Sequence, residues 1–386
     1  MFTQKQAASF NNQLTPFYFY DVALLNDTLD AAKNAADLYN FEVHYALKAN
    51  FNTRLLSLIQ EKGIGADCVS GNEVLKAIEL GFSKEKIVFA GVGKSDREIK
   101  LALDKEIFCF NVESVEELKV ISALAGEENK TAHVALRINP NVDAQTHHYI
   151  TTGLDENKFG IPTWELNDCL EVLHSHSNIE LIGIHFHVGS QITDLKVFKS
   201  LCVKVNELND WFEERGIRLQ VLNVGGGLGV EYNQPDQQLI PDFNSYFKIF
   251  NDFLNRKPGQ EVHFELGRSL IAQCGSLISR VLYVKKGIKK NFLILDAGMT
   301  ELMRPALYQA HHKIERVASQ QTSPTFNYDV VGPICESSDC FGKEVELPET
   351  KRKDLIAIRT AGAYGEAMAS HYNLREEIRY VYSDQI

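Results

Sequence analysis

Lys48 closes the apolar run VHYALKA within HYALKANF, which places an amine at the end of what reads as a buried strand over residues 43–49. A buried ammonium is costly unless paired, and desolvation lowers its pKa, favouring a nucleophilic amine able to form a Schiff base. A snorkelling or salt-bridged lysine at a strand end is the plainer reading of the same position. The choice rests on its company. The ends of other apolar runs hold Asp67, Ser70, Asn111, Arg137, Asn139, His185, His187, Ser190, Glu265 and Arg268, with glycines at Gly91, Gly189, Gly225, Gly226, Gly227 and Gly267.

GGGLG at 225–229 follows a strand pattern, so its backbone N–H groups are placed to approach a phosphate, although a triple glycine equally suits a tight turn. It does not fit the GxGxxG dinucleotide pattern. Ser190 and Arg268 would complete a monophosphate cradle with one hydroxyl and one guanidinium. His187 offers a flat imidazole to a planar cofactor; a satisfied core histidine is the alternative for it or for His185. Glu265, in ELGR beside Arg268, reads either as half of a structural salt bridge or as the carboxylate that keeps a pyridine nitrogen protonated. Amine, phosphate cradle, stacking imidazole and carboxylate together describe a site for pyridoxal 5′-phosphate (PLP).

The elements that must position these groups are legible as alternation. Short apolar runs recur (VHYALKA, GIGADCV, KIVFAGV, IFCFNV, AHVALRIN, LIGIHFHVG, LQVLNVGG, VHFELG), separated by helical patterns such as EVLKAIELG and VEELKVISALAG. Eight strand–helix repeats over residues 43–267 predict an α/β fold with a closed (β/α)8 TIM-type barrel; an open doubly wound sheet is the alternative. Ser70…Glu73, Ser95…Glu98 and Ser114…Glu117 predict capping boxes at strand-to-helix turns. After Glu265 the texture changes to strand-like runs split by turn residues, GSLISRVLYVKKG, NFLILDAG, YDVVGPICES and DLIAIRT. We expect a barrel domain over 22–272 and a mainly β domain over 273–386 that also takes in residues 1–21, with TPFYFYD as its N-terminal strand.

The 386 residues carry 44% hydrophobic and 24% charged side chains, ordinary for a globular protein of about two domains. Lys plus Arg at 40 against Asp plus Glu at 51 gives a net charge of −11, which argues against nucleic acid and anionic membrane as partners. No signal-peptide pattern or membrane-length apolar stretch is seen, so a cytoplasmic protein is expected. Seven scattered cysteines without CxxC pairing indicate neither a disulfide framework nor a zinc site.

HYALKAN, HFHVGSQ, NVGGGLG, ELGR, DAGMTELMRPALY, ICESSD and GAYGEAMASHYN, in this order and spanning nearly the whole chain, resemble the diaminopimelate decarboxylases, PLP enzymes of the alanine racemase-like barrel fold. The resemblance implies that Lys48 carries PLP, His187 stacks on its ring and Glu265 pairs with the pyridine nitrogen. It implies that Ser190, Gly227, Gly267 and Arg268 hold the phosphate and that Tyr364 touches cofactor and substrate. Arg304, Tyr308 and Glu336, with Arg268, would bind the distal end of the substrate, and Cys335 would donate the proton; the bland reading of Cys335 is a small buried hydrophobe. The expected assembly is a head-to-tail homodimer in which the CES segment reaches the partner's site. ELGR has Leu266 where proline is common, and HFHVGS has Phe186 where a smaller residue is frequent.

The reaction these residues imply is decarboxylation of meso-diaminopimelate to L-lysine. A cation and an acid together, Arg304 with Glu336, suit a distal carboxylate and amine better than a distal amine alone. The alternatives are a related decarboxylase acting on carboxynorspermidine or a basic amino acid, and a non-catalytic regulatory protein of the same fold.

Overall fold

The computed structural model describes residues 2–140, 158–317 and 324–386. The chain divides into two compact units: residues 29–229 with 242–267, and residues 1–28 with 230–241 and 268–386. Among the described residues, no helix is long and apolar enough to cross a membrane.

Strand β1 (Phe17–Tyr20) precedes eight parallel strands that close into a barrel. These are β2 (Phe41–Ala46), β3 (Gly65–Cys68), β4 (Ile87–Phe89), β5 (Cys109–Val112), β6 (Ala132–Arg137), β7 (Ile179–His185), β8 (Val221–Asn223) and β9 (Glu261–Leu266). Each of the eight apolar runs overlaps one of them, and β2 pairs with β9 to complete the ring, which settles the closed barrel over the open sheet. Side chains alternate across each strand. On β9, Phe264 packs against Phe247 and Phe250 at ring distances of 4.8 and 4.9 Å, and the next residue, Glu265, hydrogen-bonds to residues of other barrel strands.

The three serine caps form, with a difference of detail. Ser95 and Glu98 make the reciprocal capping box. Ser70 and Ser114 accept from the N–H groups of Glu73 and Glu117, but those glutamates reach one residue further back, to the N–H groups of Val69 (2.7 Å) and Glu113 (2.7 Å). Both glutamates therefore brace the residue next to a strand end, where the ring of candidate groups begins.

The second unit is an eight-stranded sheet. It contains β10 (Gly275–Lys286), β11 (Asn291–Leu295), β12 (Ile314–Arg316), β13 (Thr325–Val331), β14 (Cys340–Pro348), β15 (Leu355–Ile358) and β16 (Arg379–Tyr382), with the order β12-β15-β10-β11-β13-β14. The N-terminal strand joins it as expected, since β1 pairs antiparallel with β10 and parallel with β16. Phe10, Phe17, Phe19, Ile278, Ala357 and Val381 form its buried apolar cluster. Strands β12, β14 and β16 were not anticipated: β12 and β16 are short, and β14 (CFGKEVELP) is broken by Gly342 and by Glu344 at φ 53°.

Candidate active site

Lys48 differs from its expected setting. Strand β2 stops at Ala46, and Lys48 lies in a single 3₁₀ turn, Leu47–Ala49, with its side chain 41% exposed. The premise of a buried strand-end ammonium is therefore corrected: the amine sits in the turn that leads from the strand to helix Thr53–Glu61. That turn is fixed by the Tyr45 hydroxyl, which donates to the Asn50 carbonyl (2.9 Å), and by Asn52, which caps the helix. Lys48 Nζ lies 3.6 Å from Asp67 Oδ2. Burial and the nearby Glu265 push the Asp67 carboxyl well above its ordinary range, against the opposing pull of Lys48. Asp67 Oδ1 is buried without a hydrogen-bond partner among the described residues.

Glu265 is a buried carboxylate of the barrel, saturated by donors from three other strands. Asn111 Nδ2 and Asn223 Nδ2 each donate to Oε1 at 2.8 Å, and His185 Nε2 donates to Oε2 at 2.8 Å. Burial alone would raise the carboxyl's pKa, but His185, followed by Lys48 and His44, outweighs burial and holds it far below the usual carboxylate range. His185 thus serves the carboxylate, while its Nδ1 is buried with no partner among the described residues. His187, two residues further and beyond the end of β7, is half-buried and accepts from the Gly226 N–H at 3.5 Å. Burial, then Arg137 and Lys48, keep its pKa well below normal, so the ring is a neutral imidazole.

The glycine-rich loop is required by close backbone approach. A Cβ on Gly226 would lie 2.0 Å from the Glu265 carbonyl oxygen, and one on Gly227, at φ +108°, would lie 2.7 Å from the Gly189 carbonyl oxygen. Backbone bonds Ile192 N–H to Gly227 O (2.8 Å) and Gly229 N–H to Ile192 O (2.9 Å) tie this loop to the HVGSQ turn that carries His187 and Ser190. Gly267 is the buried last residue of the barrel unit. Leu266 and Phe186, the two departures from the family pattern, are fully buried and pack as core. An exposed amine, a caged carboxylate with donors on both oxygens, and a cramped glycine loop fit the reactive aldehyde, ring nitrogen and phosphate of PLP.

The second unit holds a separate cationic group. Tyr232, at the start of the crossing segment 230–241, accepts from Arg268 Nη1 (2.7 Å) and Arg304 Nη1 (2.9 Å) through its hydroxyl oxygen. Arg304 opens the short helix Arg304–Tyr308 and is 7% exposed. Its Nη1 also meets His312 Nε2 at 3.0 Å; since arginine only donates, Nε2 accepts, and Nδ1–H donates to the Arg359 carbonyl at 2.9 Å. Burial and then Arg304 depress the His312 pKa to about 3, in keeping with a neutral ring. Among the described residues no carboxylate pairs with Arg304. Arg268 lies over the Tyr364 ring at 4.8 Å, and Tyr364 holds φ 56°, a costly backbone state for an aromatic residue. Tyr308 is half-buried at the end of the Arg304 helix.

Cys335 and Glu336 are exposed in the loop after β13. Asp339 fixes that loop by accepting from the N–H groups of Ile334 (2.7 Å) and Met299 (2.6 Å), and the Tyr372 hydroxyl donates to Glu336 Oε1 at 2.7 Å. Among the described residues no hydrogen bond or ion pair joins Glu336 to Arg304, the two groups expected to bind the substrate's distal end. Exposure also removes the reading of Cys335 as a buried hydrophobe. Sequence reasoning missed Tyr232, His312 and Asn223 as functional candidates. Asn223 begins NVGGGLG and was within reach as a strand-end polar residue; Tyr232 and His312 carried no periodic or motif signal.

Residues 23–272 match the family of pyridoxal-dependent decarboxylases, in its pyridoxal-binding domain. The chain is 56% identical over 378 residues to the diaminopimelate decarboxylase of Bacteroides thetaiotaomicron, covering 98% of this chain and 97% of that one. The crystal structure of diaminopimelate decarboxylase from Helicobacter pylori complexed with L-lysine superposes with a TM-score of 0.92 at 39% identity, covering 99% of this chain and 94% of that one. The corresponding structure from M. jannaschii, also in complex with L-lysine, gives 0.89 at 33% identity, covering 98% and 89%. The chain belongs to the diaminopimelate decarboxylase family of pyridoxal-dependent decarboxylases.

Proposed function

We propose that the protein is a PLP-dependent enzyme that decarboxylates meso-2,6-diaminopimelate to L-lysine and carbon dioxide. The observation that carries the substrate choice is Arg304, a buried guanidinium whose bonded neighbours, the Tyr232 hydroxyl and the His312 ring, are neutral groups. A buried cation without a counter-ion is expensive, and a distal carboxylate on the substrate supplies the missing charge. A substrate with a distal amine alone would leave that cost standing.

In the barrel unit, Lys48 would hold PLP through its amine, His187 would offer its neutral ring to the cofactor, and Ser190 with the backbone at Gly227 and Gly267 would serve the phosphate. The chemistry that the bound cofactor supplies is an electron sink for the pair left at Cα as carbon dioxide departs. Glu265, held ionised by Asn111, Asn223 and His185, keeps a proton on the ring nitrogen. In the second unit, Arg268 and Tyr364 serve the phosphate and substrate, while Arg304 and Tyr308 bind the distal end. The Cys335 thiol returns a proton to Cα, and Glu336 receives the distal ammonium. Their exposure on a fixed loop supports a homodimer in which they act in the partner's site. All seven cysteines are unpaired, which supports a reducing, cytoplasmic setting.

Arg304→Ala tests the substrate reading. It should lower kcat/KM for meso-diaminopimelate by roughly a hundredfold, as expected when a charged hydrogen-bond partner is lost. Unchanged kcat/KM would remove Arg304 from substrate binding.

A further inference from the structure

We propose that Tyr232 is a positioning residue whose phenol oxygen holds Arg268 and Arg304 apart and ready for an oxyanion, and so sets the affinity for the substrate's distal carboxylate. This rests on the reading of Arg304 given above. Two guanidinium groups repel one another, and a buried pair needs an acceptor between them. The Tyr232 hydroxyl is that acceptor, with Nη1 of Arg268 at 2.7 Å and Nη1 of Arg304 at 2.9 Å. Both contacts are made by donors, and among the described residues nothing accepts the hydroxyl's own proton.

The surroundings hold the phenol in place. The Tyr232 ring meets the His312 ring edge-on at 5.2 Å with planes at 85°. His312 in turn accepts the second hydrogen of Arg304 Nη1, so that nitrogen is fully used by the protein. Nε and Nη2 of Arg304 have no hydrogen-bond partner among the described residues and remain for a ligand. The phenol oxygen thus occupies one place in an oxyanion environment and leaves the neighbouring places to a carboxylate. Burial would raise the Tyr232 pKa, but Arg268 and then Arg304 outweigh it and bring the phenol below its ordinary value.

The test compares L-lysine, which keeps the distal carboxylate, with cadaverine, which lacks it, as ligands of the PLP-loaded enzyme. Tyr232→Phe keeps the ring and removes the oxygen. It should raise the KM for meso-diaminopimelate and the inhibition constant of L-lysine roughly tenfold, while the cadaverine constant moves less than about twofold and kcat falls less than KM rises. Equal weakening of lysine and cadaverine, or no change in either, would overturn the inference. If Arg304→Ala loses the preference for lysine over cadaverine while Tyr232→Phe keeps it, Tyr232 has no positioning role and the substrate reading stands. If Arg304→Ala also keeps the preference, the carboxylate reading of Arg304 itself fails. A second measurement needs no variant: tyrosinate absorbance of the wild-type holoenzyme, titrated upward in pH, should show one early-ionising tyrosine that bound L-lysine delays and cadaverine does not. A first ionisation indifferent to L-lysine contradicts the proposal even if Tyr232→Phe fails to fold.

Discussion

Glu265 in the barrel and Arg304 in the second unit are both 7% exposed, and each is held by hydrogen bonds with several side chains. The two cages differ in what they leave open. Three donors from three strands fix both oxygens of Glu265, so its charge is held in one geometry, as suits a cofactor that stays. Arg304 has one nitrogen committed to Tyr232 and His312, and the others remain for a ligand, as suits a substrate that comes and goes. Burying an ion beside dipoles is tolerable where a ligand brings the countercharge. On the proposed function, the two sites divide the work between electronic tuning and molecular recognition.

The barrel side breaks hardest. Lys48→Ala should abolish the pyridoxal mass fixed by borohydride and lower turnover by roughly a thousandfold or more, read by mass spectrometry and carbon dioxide release. Glu265→Gln keeps the shape and removes the charge. It should cost roughly a hundred- to a thousandfold in kcat with PLP still bound, and a kcat within a few-fold of wild type would show that the ring nitrogen does not need this anion.

Cys335→Ala should slow turnover by roughly a hundredfold while the cofactor absorbance is kept. Mixing it with Lys48→Ala should restore activity through hybrid dimers, because each variant retains what the other lacks. No recovery on mixing would place Cys335 and Lys48 in the same subunit's site.

A smaller effect sharpens the electrostatic half of the comparison. Asn111→Ala removes one donor from Glu265 and should destabilise the fold by about 1–3 kcal/mol. The folded pKa of Glu265 is depressed, so its contribution to stability is present above the unfolded carboxyl value and lost as pH falls through the folded one. Removing a donor raises the folded value. The acid limb of the stability profile should move to higher pH, and an unmoved limb would mean Asn111 does not hold the charge. Smallest is Ser70→Ala, an N-cap loss of about 1 kcal/mol measured by denaturant unfolding, with activity kept.

The barrel was legible because parallel strands buried on both faces write continuous apolar runs, and crossover helices write their own period between them. The N-terminal strand was legible from FYFY, four aromatics in a row bounded by Pro16 and Asp21. Strand β14 was not, because its hairpin with β13 shifts register twice and interrupts the alternation. In the site, strand-end position exposed Asn111, His185 and Glu265, but not the division of labour between His185 and His187. Tyr232 was illegible for a different reason: it matters through where it meets Arg268 and Arg304, which are 36 and 72 residues away in the chain. Lys48 was singled out on a faulty premise, since the helix-leading turn, and not burial, displays its amine.

The most direct test is carbon dioxide release from equal concentrations of meso-diaminopimelate, lysine, ornithine, arginine and carboxynorspermidine by the PLP-loaded enzyme. Preferential turnover of meso-diaminopimelate, lost in Arg304→Ala, is the predicted result. Preferential turnover of any of the others would contradict the assignment.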